Sequence, residues 1–142
     1  MAAITTGLRA EVSARAGRRC EYCLQPEELS FAGHQVDHII AEKHGGLTEL
    51  ENLALCCTLC NRRKGSDLSS LDPVSGELAR LFHPRLDRWP KHFELHGGEI
   101  VARTAAGRVT VKLLRMNLPD RVKEREILVR SGRLWTSGGR DD

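Results

Sequence analysis

No run of apolar residues in this chain approaches the roughly 20 needed to span a bilayer. The opening Met1-Ala2-Ala3-Ile4-Thr5-Thr6 has neither the basic nor the apolar stretch of a secretory leader. These absences argue against a membrane protein and against export, and a cytoplasmic location is expected. No internal repeat is present, and a length of 142 residues leads to the expectation of one domain, a small core with an extension, in place of two full domains. A core built between Cys20 and Lys64 is small. A segment that short needs a staple other than hydrophobic burial.

The cysteines supply one. There are 5, an odd count for a fully bridged framework, and in a reducing compartment paired thiols are better read as metal ligands than as disulfides. Cys20 and Cys23 form one C-x-x-C pair, and Cys57 and Cys60 form the second. Two such turns complete a tetrahedral sulfur shell, and a closed shell of that kind is structural, with zinc as the expected ion. The 33 residues between the pairs exceed the roughly 15 to 20 of a zinc ribbon, so the intervening segment must carry structure of its own. Cys56 breaks the spacing and is read as a buried small hydrophobe.

The formal charge of +3 and the pI near 8.7 are mildly basic. Four thiolates and one dication bring the loaded chain to roughly +1, so affinity for a polyanion must come from local clusters. Candidates are Arg15, Arg18 and Arg19, then Arg62-Arg63-Lys64, then Arg121, Lys123, Arg125, Arg130 and Arg133, each with a solvated surface as the plainer reading.

An α+β fold is expected. Thr6 to Ala16 reads as a helix capped by Thr5 or Thr6, with Leu8, Val12 and Ala16 on one face and Gly17 at its end. Gln35 to Ile40 and Leu53 to Cys56 read as short strands, Ala41 to Asn52 as an irregular loop, and Thr58 to about Ser66 as a helix. Residues 1–70 are expected to form the core and 71–142 an α/β extension packed on it. In that extension Asp72-Pro73 and Ser75-Gly76 mark a winding connection. His92 to Leu95 and Ile100 to Thr104 read as a hairpin through Gly97-Gly98, and Trp89 and Phe93 as extension core. Val109, Leu113 and Met116 share a helical face, although Val109-Thr110-Val111 alone also suits a strand. Pro119 opens a last helix reaching about Val129, with Asn117 as a nearby cap. The polar, Gly-rich tail after Ser131 is expected to be loose.

Between the cysteine pairs lie Val36-Asp37-His38-Ile39, Gly45-Gly46 and Asn52-Leu53, followed by Cys57-x-x-Cys60-Asn61-x-x-Lys64. In order and approximate spacing this pattern resembles the HNH endonucleases over roughly residues 15–66. The stretch containing Leu81-Phe82-His83-Pro84-Arg85, Trp89 and Gly107-Arg108 resembles an extension found in bacterial members. The resemblance implies a ββα-metal core and metal-dependent hydrolysis of phosphodiester bonds in nucleic acid, DNA in first place, leaving a 5′-phosphate and a 3′-hydroxyl. It makes His38 the general base, Asp37 and Asn61 ligands of a catalytic magnesium or manganese ion, and Asn52 the residue that orients His38. The residue types suit these tasks: imidazole takes a proton near neutral pH, and carboxylate and amide oxygens suit a hard cation. Because neighbouring strand residues face opposite ways, the strand must bend or end at Asp37-His38.

Lys64, Arg62 and Arg63 are candidate phosphate contacts, with a solvated helix face as the equal alternative. His44 is a phosphate or metal contact, or a structural or solvent residue. His34 is a surface residue or a competitor for the ion. The alternative to catalysis is a zinc-knuckle module that binds nucleic acid or protein without cutting; a regulatory or toxin-like use of the nuclease core is a third possibility. Oligomeric state is not legible.

Overall fold

The computed structural model describes residues 3–134, so the tail expected to be loose lies outside the described residues beyond Leu134. Two units are present: one runs to Ser66 and takes up His83–Arg85, and the other holds Asp67–Phe82 and the residues from Leu86 onward.

In the first unit, helix α1 spans Thr6–Arg15, and the Thr5 hydroxyl accepts from the Leu8 amide at 3.1 Å, satisfying a helix-start donor. The expected Leu8, Val12 and Ala16 stripe packs on strand β2 (Leu53–Cys56), where Val12, Leu53 and Leu55 form a small core with Ile4, Val36 and Leu50 around it. Burying side chains of this size contributes about 1.5–3 kcal/mol each. Arg15 adds a polar tie from α1 to the start of β2, its guanidinium donating to the Leu50 and Leu53 carbonyls at 2.9 and 2.6 Å.

Strand β1 (Gln35–His38) pairs antiparallel with β2 (Leu53–Cys56), with Val36 opposite Leu55 and His38 opposite Leu53. The first strand is two residues shorter than expected. It stops at His38 because the bonds beyond that point turn away from the ladder: the Ile39 amide still donates to the facing Asn52 carbonyl, but the Asn52 amide goes to the Glu49 carbonyl and the Ile40 amide to the Asn52 side-chain oxygen. The loop contains two short 3₁₀ turns, Glu42–His44 and Leu50–Asn52. Helix α2 spans Thr58–Lys64 and completes a strand, loop, strand, helix order.

In the second unit, the region read as a winding connection holds a hairpin, β3 (Ser69–Leu71) with β4 (Leu78–Arg80). The Asp72-Pro73 and Ser75-Gly76 breakers form its turn. Asp72 is only 1 % exposed; it accepts from the Val74 amide and the Ser75 hydroxyl, and two bonds of 2.8 and 2.9 Å come from Arg108 on helix α4 (Ala105–Leu113). The short helix α3 (Trp89–His92) leads into the expected hairpin of β5 (Phe93–His96) and β6 (Glu99–Ala102). Phe93 packs among Phe82 and Trp89 at ring separations of 5.2 and 4.9 Å, so both Trp89 and Phe93 serve this unit's core.

The 109–111 stretch is helical, within α4 (Ala105–Leu113), and α5 spans Pro119–Arg130. Asn117 does not cap α5. Its amide bonds the Ile100 backbone on both sides, at 2.9 and 2.8 Å, and Leu118 holds the cap position without a side-chain bond. Nor are all the C-terminal arginines surface charge: Arg121 donates to the Leu114 and Arg115 carbonyls, and Arg125 to those of Gly98 and Met116. Both guanidiniums are buried because they satisfy carbonyls left open at the end of α4 and at the β5–β6 turn. No helix among the described residues is long and apolar enough to cross a membrane.

Candidate functional site

The metal-binding frame begins with two knuckles. In the first, the Cys20 sulfur accepts from the Cys23 amide at 3.5 Å; in the second, the Cys57 sulfur accepts from the Cys60 amide at 3.4 Å and caps α2. The four ligand sulfurs lie within 4.8 Å of one another, and Cys23 and Cys57 are 3.6 Å apart. A tetrahedral zinc with bonds of about 2.3 Å requires sulfur separations of about 3.8 Å, so the cluster fits the ion.

Burial pushes the Cys20 thiol well above its ordinary range, and contacts with the Cys23 and Cys56 thiols add to the rise. Cys57 and Cys60 are raised first by their contact with Cys20, with Cys23 and burial contributing. A dication at the centre reverses that balance, because it ligates the thiolate. Cys56 is buried, as a small hydrophobe should be.

Glu21, inside the first knuckle, joins this frame to β2. Its amide donates to the Leu55 carbonyl, its carboxylate accepts from the Leu55 amide at 2.9 Å, and its other oxygen pairs with Arg85. Sequence reasoning gave Glu21 no role, since a carboxylate within a C-x-x-C pair has no distinctive spacing.

The second group of candidates lies at the end of β1. By strand alternation Gln35 and Asp37 share one face and Val36 and His38 the other. Helix α2 runs along the first face: the Asn61 amide donates to the Gln35 side chain at 2.5 Å, and one turn later Lys64 donates to Asp37 at 3.2 Å. Asn61 and Asp37 therefore lie along the same strand–helix seam, each bonded to a different partner. On the other face, His38 Nε2 is 2.8 Å from the Thr48 hydroxyl. Thr48 is a residue that sequence pattern did not single out.

The side-chain bonds of Asn52 go to the loop and not to the His38 ring. Its side-chain oxygen accepts from the Ile40 amide, and its nitrogen donates to the Ile40 and Leu47 carbonyls, all at 2.9 Å. Gly46 is required beside it: a Cβ there would stand 1.7 Å from the Ile40 carbonyl oxygen. The loop is thus clamped on both sides of Gly45-Gly46, and Thr48 follows directly after the clamped Leu47.

Lys64 is 2 % exposed, with its ammonium on Asp37, the His38 carbonyl and the Gly65 carbonyl. This excludes the solvated-face reading, since the last turn of α2 lies against β1 and buries the side chain's stem. Arg62 is exposed and Arg63 half-buried on the same helix, and His44 is exposed in the turn before Gly45. His34 is buried instead of lying at the surface; its Nε2 is 2.8 Å from the Gln25 carbonyl and its backbone amide donates to Glu27.

Residues 20–67 match the family model for the HNH endonuclease. No curated protein and no solved structure gives a significant match. The matched segment contains both cysteine pairs, β1, the clamped loop, β2 and α2. Residues 20–67 of this chain are therefore an HNH endonuclease domain, built around four cysteines placed to bind a metal ion.

Proposed function

We propose that the chain is a metal-dependent endonuclease that hydrolyses phosphodiester bonds in nucleic acid, with DNA as the preferred substrate. In this reading zinc on Cys20, Cys23, Cys57 and Cys60 is structural, and a reducing, cytoplasmic setting keeps those thiols able to hold it. His38 is the general base, and Asp37 and Asn61 hold a magnesium or manganese ion.

The observation that carries the reading is that β1 ends at His38, so Asp37 and His38 stand at the strand's end, each side chain fixed by its own partner. Asp37 is turned to α2, and its carboxylate, 20 % exposed, has a cation beside it in Lys64. A place lined by the Asp37 carboxylate and the His38 carbonyl suits positive charge, and Asn61 adds an amide oxygen donor on the same seam. The donor set is of the hard oxygen type that magnesium and manganese prefer. When bound there, the ion supplies charge stabilisation to the phosphate and to the leaving oxygen.

His38 has the complementary task of taking a proton from the attacking water, and its ring is held by Thr48. Asn52 keeps the loop that carries Thr48 in place. Arg62, Arg63 and His44, on α2 and the Glu42–His44 turn, offer positive or proton-donating groups to the flanking phosphates. Lys64, with its ammonium turned inward, supports Asp37 in place of contacting phosphate.

A plasmid-nicking assay with magnesium, manganese and EDTA arms tests the proposal on the wild type and on His38→Ala. Loss of cutting in the variant, by about a hundredfold or more, with zinc content unchanged is the expected result. Equal activity in the two proteins would defeat the assignment of His38. Absence of cutting in both, with nucleic acid still bound, would return the chain to the zinc-knuckle binding reading.

A further inference from the structure

Lys64 is the last residue of α2 and is almost wholly buried, yet it carries a charge. Buried lysines require compensation, and this one has three oxygens for its three N–H donors. The Asp37 carboxylate and the His38 carbonyl are each at 3.2 Å, and the Gly65 carbonyl is at 3.4 Å. No N–H is left to reach outward to a substrate. The ammonium thus stands at the same carboxylate to which the proposed function assigns a divalent ion.

We infer that Lys64 is a resident counter-cation of Asp37 that opposes divalent-ion binding, and so sets how much free metal the site needs. The inference rests on the assignment of Asp37 as an ion ligand. Two positive centres sharing one carboxylate repel each other, and desolvation at this seam strengthens that repulsion relative to water. The same ammonium also draws on the carboxylate's lone pairs, leaving fewer for the ion. A neutral side chain of the same length relieves both effects while filling the same space. Lys64 is accordingly a positioning and affinity-setting residue, acting through Asp37 without touching the nucleic acid.

The experiment uses zinc-loaded full chain and manganese alone as the probe, with free aquo-ion counted by electron paramagnetic resonance across a titration. Lys64→Met is expected to bind manganese at least tenfold more tightly than the wild type, Lys64→Arg to resemble the wild type, and Asp37→Asn to bind more weakly. If Lys64→Met binds equally or more weakly while Asp37→Asn is impaired, the inference falls and the assignment of Asp37 stands. If Asp37→Asn binds manganese as the wild type does, both fall. A wild-type measurement covers the case in which Lys64→Met does not fold. The ¹⁵N resonance of the Lys64 ammonium must move when magnesium is added, and an unchanged resonance at saturating magnesium overturns the inference.

Discussion

His38 Nε2 lies 2.8 Å from the hydroxyl of Thr48, joining the last residue of β1 to the clamped loop that follows it. The contact defines one ring edge of the proposed base and makes its orientation a property of the loop as well as of the strand. Residues 46–52 therefore bear on the chemistry proposed for residue 38.

Thr48→Val removes the hydroxyl and keeps the shape. A hydrogen bond of this kind contributes about 1 kcal/mol, so kcat is expected to fall about fivefold with KM little changed. Thr48→Ser should recover most of the loss. A valine variant with wild-type kcat in steady-state cleavage would show that Thr48 does not orient the base.

Asn52→Ala breaks three hydrogen bonds and leaves the Ile40 amide without its partner. The expected cost is about 2–4 kcal/mol in chemical denaturation, together with loss of cutting. Gly46→Ala should give a similar loss, since its Cβ would meet the Ile40 carbonyl at 1.7 Å. The double variant should lose much less than the sum of the two, because both changes open the same loop.

Cys57→Ser, or removal of metal by a strong chelator, removes a ligand set that also caps α2. Metal binding contributes on the order of 10 kcal/mol to folding in small zinc domains, comparable with the whole stability of an ordinary domain. The expected outcome is loss of cooperative unfolding in the first unit, followed by far-UV circular dichroism alongside zinc release. A chelated protein with an unchanged transition would show that the cluster is not its staple.

Acid should weaken the second unit through Asp72. Hydrogen bonds from Arg108 hold this carboxyl well below the usual carboxylate range, assisted by the Val74 amide and the Ser75 hydroxyl. A depressed folded-state value stabilises the fold above the unfolded value of about 3.9, and that stabilisation is lost as pH falls toward the folded value. Denaturation midpoints should fall below about pH 4. Asp72→Asn should be less stable at neutral pH and should show a shallower decline in acid.

Much of the frame was legible in residue order. Local spacing is enough to identify a C-x-x-C turn, a period-two strand or a four-residue helical stripe, and the structure forms each of these where Cys20, Val36, Leu53, Val12 and Thr58 suggested. The β3–β4 hairpin was missed because the turn signals Asp72-Pro73 and Ser75-Gly76 look the same in a coil as in a hairpin. What tells them apart is Arg108, a partner 36 positions away in sequence.

Sequence by itself determined the ligand set, the strand, loop, strand, helix order and the presence of Asp37, His38, Asn52 and Asn61 between and beside the cysteines. Tertiary structure decided the partner of each polar side chain. It turned Lys64 inward to Asp37, gave Asn117 to the Ile100 backbone, buried His34 beside Gln25 and brought Thr48 to His38. The reason is physical: spacing along a chain sets local geometry, whereas the bonds of a long or polar side chain depend on which distant backbone or charge arrives within about 3 Å of it.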